Sequence, residues 1–134
     1  LYHNFSIRVV HGNQTQRDKD RARLDTILNY IRQNYKQHIS IEEIANVAYL
    51  QSGYFCRFFK KCMGITFLEY QNELRLSYIY QDILSTDDSI KDILERHGFT
   101  NYKLFRRIFQ EHFGTTPTQI RQNYHKSTSS ATRI

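Results

Sequence analysis

Residues 52–63 carry three cations, Arg57, Lys60 and Lys61, and no acid. Residues 101–113 carry three more, Lys103, Arg106 and Arg107, beside one acid, Glu111. Arginine can grip guanine O6 and N7 through two parallel hydrogen bonds. Lysine or arginine that misses a base edge binds phosphate and adds salt-dependent affinity. The chemistry on offer is recognition of duplex nucleic acid. The bland alternative is a solvated cationic surface. What separates the two is repetition, because one arginine recurs at the same place in two copies of one pattern.

Shifted by 49, Ser40, Ile41 and Ile44 fall on Ser89, Ile90 and Ile93. Shifted by 50, Phe55, Arg57, Phe59, Gly64 and Thr66 fall on Phe105, Arg107, Phe109, Gly114 and Thr116. The second copy therefore holds one extra residue, between about His97 and Tyr102. A turn tolerates an insertion and a packed helix does not, so the turn lies there in both copies. Each copy reads as a short capped helix, a tight turn and a longer helix, which is the helix-turn-helix layout. Two copies are too few for a solenoid.

The surrounding pattern is helical. Leu24, Ile27, Leu28, Ile31 and Tyr35 form an amphipathic stripe. Ser40 with Glu43 forms a capping box ahead of a helix to about Ala48. A helix over 52–63 ends at Gly64. Thr66 caps a long segment from Phe67 to about Leu84, and Ser89 caps a short one with Asp92 at its third position. The helix over 101–113 ends at Gly114, and Pro117 opens the last one. The count is seven helices with no convincing strand in the body, so the fold class is all-α. It comprises two helix-turn-helix subdomains of homeodomain-like type, at about 41–63 and 90–113. A connecting helix at about 67–84 joins them within a domain spanning 21–126. Residues 1–20 read as linker or the remnant of a missing upstream domain: Tyr2, Phe5, Ile7, Val9 and Val10 suggest a strand fragment, and Gly12 to Thr15 a linker. Residues 127–134 read as a frayed tail.

These helices sort their side chains by face. Phe55, Phe59 and Cys62 face inward with Tyr54 and Phe58 flanking, and Phe105, Ile108, Phe109 and His112 face inward in the second copy. The outward residues, and hence the candidate DNA contacts, are Gly53, Cys56, Arg57, Lys60 and Lys61 in one copy. In the other they are Tyr102, Lys103, Arg106, Arg107 and Gln110. The acids Glu42, Glu43, Asp87, Asp88, Asp92 and Glu95 concentrate on the short first helices, where they suit helix N-termini.

Composition narrows the alternatives. The 134 residues have net charge +6, which favours an anionic partner, and 40% are apolar with 10 Tyr and 9 Phe, enough for a core. Five glycines and one proline leave few turn formers for a hairpin-rich β fold. No apolar run approaches the 18 or so residues of a membrane span, and Leu1 to Val10 lacks a signal peptide's apolar core. Two cysteines fit a reducing compartment better than a disulfide framework. The six histidines are scattered and no cysteine pair has zinc spacing, so no metal or cofactor is expected. No catalytic triad order, paired carboxylates or glycine-rich phosphate loop appears, which argues against an enzyme.

The residues also carry a family resemblance. Ile44-Ala45, Tyr54-Phe55, Arg57, Phe59-Lys60-Lys61 and Gly64 resemble the first helix-turn-helix of the AraC/XylS family of bacterial transcription regulators. Ser89-Ile90, Ile93, Gly98-Phe99, Phe105, Arg107, Phe109, Phe113-Gly114, Pro117 and Arg121 resemble the second, and Leu74-Arg75-Leu76 the connecting helix. The resemblance covers about residues 20–125. It implies a cytoplasmic, nucleoid-associated activator that inserts two recognition helices into adjacent major-groove segments of promoter DNA. It also implies contact with RNA polymerase and an upstream sensor domain or dimer partner. Tyr49 stands where the family usually has glycine, which predicts a looser first turn. Leu94 replaces the usual alanine, Gln110-Glu111 replace a basic pair, and Gly53 stands where relatives often carry a base-reading side chain. Cys56 reads as a small residue facing DNA; the rival is a redox sensor or alkyl acceptor beside Arg57 and Lys60. The rival class for the whole chain is a protein-interaction module using exposed Tyr30, Tyr80 and Tyr124.

Overall fold

Residues 14–131 are described in the computed structural model, and most of its helices begin where a side chain can take up a free amide. The order is α1 (Gln14–Asn34), α2 (Ile41–Val47), α3 (Ser52–Met63), α4 (Phe67–Ser85), α5 (Ile90–Arg96), α6 (Tyr102–Phe113) and α7 (Pro117–Ala131), with no strand among the described residues. Ser40 Oγ accepts from the Glu43 amide at 3.0 Å, and Ser89 Oγ accepts from the Asp92 amide at 3.1 Å. Such caps contribute about 1 kcal/mol each. The box expected at Ser40 is only half made. The Glu43 carboxylate accepts from the Tyr30 hydroxyl of α1 instead, which ties α1 to α2. The reciprocal box forms at α4: Thr66 Oγ1 accepts from the Glu69 amide, and the Glu69 carboxylate accepts from the Thr66 amide, both at 3.1 Å. Those bonds from Thr66 hold the Glu69 carboxyl below its ordinary pKa. Asn101 is the cap of α6 rather than its first residue, accepting from the Leu104 amide at 3.0 Å.

Both ends depart from expectation. Gln14 and Thr15, expected as linker, lie in α1, as do residues 16–20. Side-chain bonds four residues apart, Gln14 to Asp18 at 3.1 Å and Gln16 to Asp20 at 2.9 Å, support that helix start. The expected strand fragment lies outside the described residues. Residues 127–131 of the expected frayed tail continue α7, where Thr128 Oγ1 donates to the Tyr124 carbonyl at 2.9 Å. Residues 132–134 lie outside the described part.

The chain divides into two compact units between Leu74 and Arg75, so α4 supplies its first part to one and its second part to the other. In the first unit, Leu24, Ile27 and Ile31 of α1 pack with Ile44 and Ala45 of α2, Phe55 and Phe59 of α3, and Phe67 and Tyr70 of α4. Phe67 meets Phe55 and Phe59 edge-on at 5.8 and 6.1 Å, and Tyr70 meets Phe59 at 5.7 Å. Edge-to-face pairs of this kind add about 0.5–1.5 kcal/mol each beyond the area they bury. The second unit buries Leu76, Ile79 and Ile83 of α4 with Ile93, Leu94, Phe99, Phe105 and Phe109.

Polar bonds brace the second unit as well. Asp82 on α4 receives His97 Nε2 at 2.6 Å and Arg96 at 2.9 Å, and Arg96 also reaches Asp88. Burial pushes the Asp82 carboxyl up, but the bonds from His97 and Arg96 outweigh that and hold it below its ordinary pKa. His97 is buried and stacks on Tyr78, as a packing residue does. Arg121 Nε donates to the Ile83 carbonyl at 2.9 Å, taking up a backbone acceptor near the end of α4.

The repeat survives in backbone detail. The Leu50 amide donates to Ala45 and the Phe99 amide to Leu94, both at 2.9 Å and 49 residues apart in register. The caps Gln51 and Asn101 are already 50 apart. Thr100 is therefore the inserted residue, and it sits in the turn. The first turn is not looser for lacking glycine. Tyr49 takes φ +57°, close to the +72° of its counterpart Gly98, with its side chain 96% exposed. Left-handed backbone costs a side-chain-bearing residue about 1–2 kcal/mol. Tyr49→Gly relieves that strain and loses no packing, while glycine gains some freedom in the unfolded chain. The expected net is a gain of about 0.5–1 kcal/mol, seen as a higher Tm; a lower Tm would show that the exposed ring stabilises the fold.

Candidate nucleic-acid interface

The rotation of α3 about its axis is set by what it buries. Phe55, Phe58, Phe59, Cys62 and Met63 lie in the first core. With 100° between successive residues, the opposite side must present Gly53, Cys56, Arg57, Lys60 and Lys61. All five are exposed. In α6, Phe105 and Phe109 are fully buried, and Tyr102, Lys103, Arg106, Arg107 and Gln110 are all exposed. The five α3 residues therefore share the outer face of their helix, and Lys103, Arg106, Arg107 and Gln110 share that of α6, each held there by an aromatic core. Tyr102, seven residues before Phe109, lies on the core side of the first turn of α6, its ring 6.4 Å from Phe105. Left-handed Gly64 and Gly114 end the two helices at matched positions.

Three assignments around these faces change. His112, expected inward, is exposed. Phe113 takes the inward role, stacking on Tyr80 at 4.6 Å and lying 4.5 Å from Phe109. The helix turns 100° per residue, and the larger apolar ring wins the buried azimuth. Phe58 is buried rather than flanking, with the Arg23 guanidinium of α1 over its ring at 5.8 Å. Of the aromatics expected to be exposed, Tyr30 and Tyr80 are half-buried and engaged, the first with Glu43 and the second with Phe113. Tyr124 is 45% exposed.

The two arginines that match in sequence sit in different surroundings. The Arg57 guanidinium lies back along α3, so close that a β-carbon added to Gly53 would meet its Nη1 at 3.5 Å. Glycine leaves the helix surface open there, and the arginine head reaches the N-terminal end of α3, the end that contacts base edges in helix-turn-helix proteins. No carboxylate pairs with Arg57 among the described residues. Arg107 instead has Glu111 Oε1 at 3.9 Å from its Nε, both side chains well exposed. Arg106 leans over the Tyr102 ring at 5.9 Å. Spacing alone gave no sign of the Arg57–Gly53 apposition, which depends on a side-chain direction. Cys56 is exposed and Cys62 buried, and burial pushes the Cys62 thiol up, away from thiolate chemistry. No cluster of three or more His, Cys, Asp or Glu suited to a metal occurs among the described residues. No described helix is long and apolar enough to cross a membrane.

Comparison with known proteins bears on the helix-turn-helix frame that carries these faces. A family described as a helix-turn-helix domain matches residues 44–123. The probable transcription factor PqrA of Proteus vulgaris is 38% identical over 85 residues, which covers 63% of this chain and 70% of PqrA. The HTH-type transcriptional regulator YijO of Escherichia coli is 28% identical over 119 residues, 88% of this chain but 42% of YijO. The chain thus spans under half the length of that relative. Among solved structures, a transcriptional regulator of the AraC-type DNA-binding-domain group from Chromobacterium violaceum superposes with TM-score 0.70 at 25% identity, covering 80% of this chain and 96% of that one.

Proposed function

The chain belongs to the AraC/XylS family of helix-turn-helix, DNA-binding transcription regulators, and from that premise we propose that it activates transcription by inserting α3 and α6 into two adjacent major-groove segments of promoter DNA. The observation that carries this reading is the recurrence of one exposed, cationic helix face on the same capped framework in both units. Arg57, Lys60 and Lys61 with Gly53 and Cys56 form the first contact surface. Tyr102, Lys103, Arg106, Arg107 and Gln110 form the second. A major groove about 12 Å wide admits one such helix.

The length of α4 supports two contacts rather than one. Its 19 residues span about 28 Å at 1.5 Å per residue. Major grooves on one face of a duplex recur every 34–36 Å, about 10–10.5 bp. If α4 is a stiff connector, seating both helices needs a modest bend in the DNA, at a cost of a few kcal/mol. The second contact is the weaker, because Gln110 and Glu111 stand where Lys60 and Lys61 stand in the first unit. RNA polymerase is the partner an activator engages, and an upstream sensor domain or dimer partner supplies the signal. The setting is the bacterial cytoplasm, at the nucleoid.

Footprinting on a site selected from random duplexes tests the reading. Two protected segments about ten base pairs apart are expected, and inserting five base pairs between them should abolish the second. One short footprint indifferent to the insertion would mean that a single unit enters the groove. Failure to select any sequence would favour the interaction-module reading.

A further inference from the structure

The first unit carries an open groove of about 580 Å3 lined by α2, α3 and the start of α4. Ile41, Phe67 and Leu68 give it an apolar lining, and Arg57, Lys60 and Lys61 line it with charge. Leu68 is 62% exposed. The other large apolar side chains exposed among the described residues are Tyr49, Tyr54, Tyr102 and Tyr124, each with a hydroxyl for water. Leu68 is the one aliphatic side chain in that set, and it lies in the same groove as every cation of α3.

The internal repeat supplies a control. Shifted by 50, Leu68 falls on Thr118, Phe67 on Pro117, Lys60 on Gln110 and Lys61 on Glu111. The second unit keeps the helix-turn-helix frame without this combination, so the frame does not require it. A duplex would satisfy the three cations through base edges and phosphates, and only a thymine methyl could meet an exposed leucine. A ligand that uses the whole groove needs carboxylates and an apolar side chain together. Short amphipathic segments recognised in grooves have that composition, with apolar anchors giving affinity and charge giving orientation.

We propose that this groove docks a short acidic segment of a partner protein, whose apolar side chain covers Leu68 and whose carboxylates pair with Arg57, Lys60 and Lys61. Because the proposed DNA contact uses the same cations, segment and promoter exclude one another, so the partner silences the first unit. The docking stands without the DNA reading; the exclusion rests on it.

The probe is a fluorescein-labelled 14-residue helical peptide with leucines on one face and Asp or Glu elsewhere, titrated into the whole chain by anisotropy without DNA. Saturable binding is expected. Leu68→Thr, the second unit's own residue, should weaken it at least ten-fold with unchanged helical circular dichroism and Tm. A peptide with serine in place of its leucines should bind the parent chain equally poorly. The selected duplex should displace the peptide. Equal binding of both peptides, or indifference to Leu68→Thr, would mean charge attraction alone and overturn the proposal. Duplex affinity falling ten-fold in Leu68→Thr would assign the groove to DNA. Loss of a dimer in Leu68→Thr, seen by sedimentation, would assign it to a second copy. Duplex and peptide binding together would overturn the exclusion, whereas a chain that binds peptide but no duplex would count against the DNA reading alone.

Discussion

Phe109→Ala is expected to unfold the second unit. Phe109 is fully buried, 5.5 Å from Phe105 and 4.5 Å from Phe113, which itself stacks on Tyr80 of α4. It therefore stands where α6 is keyed to α4. Truncating a core phenylalanine to alanine costs about 3–5 kcal/mol, through lost burial plus the cavity left behind. The unit is Arg75–Ile134. At about 0.05–0.15 kcal/mol per residue, some 60 residues supply only about 3–9 kcal/mol in all. The loss is of the same size as the reserve. In a 1H–15N spectrum the dispersed signals of residues 90–113 should collapse, and the Tm should fall steeply. Phe109→Leu keeps most of the volume and should remain folded at about 1 kcal/mol of cost. A Tm for Phe109→Ala within a degree or two of the parent would show that Phe109 does not anchor α6.

Arg57→Ala is expected to weaken binding to the selected duplex by about ten-fold or more, with no change in helical circular dichroism. A bidentate arginine–guanine contact is worth about 1–3 kcal/mol, and even the lower half of that range approaches a factor of ten. The side chain is exposed and buries nothing in the core, so stability should be untouched. The matched Arg107→Ala should cost less, because Glu111 lies beside that guanidinium and already offsets part of its charge. Measured against salt, a lost base contact leaves the slope nearly unchanged, whereas a lost phosphate contact lowers it by about one. Equal affinity of Arg57→Ala and the parent would remove Arg57 from the interface. An effect of Arg107→Ala as large as that of Arg57→Ala would mean that Glu111 swings away when DNA binds.

The sequence by itself determined the helices apart from the outer ends of α1 and α7, the repeat and the exposed faces of α3 and α6. Those are decided locally: a serine, threonine or asparagine ahead of five of the helices takes an orphan amide, and phenylalanines every four residues define a buried side whose opposite must carry the charge. The one-residue difference between the copies likewise pointed to the turn, because only a turn absorbs an insertion. Other features depend on groups far apart in the chain or on a side-chain direction, and only the tertiary structure decided them. Glu43 bonds Tyr30 thirteen residues away rather than closing its own cap. Phe113 rather than His112 turns inward because Tyr80 of α4 offers a ring to stack on. Tyr49 keeps glycine's left-handed backbone, since the bonds from Tyr49 to Asn46 and from Leu50 to Ala45 fix the turn whatever residue fills it. The Arg57 guanidinium lies over Gly53, and the groove sets Leu68 beside the α3 cations. Periodicity assigns a residue to a side of a helix; which neighbour it then meets is settled only when the helices pack.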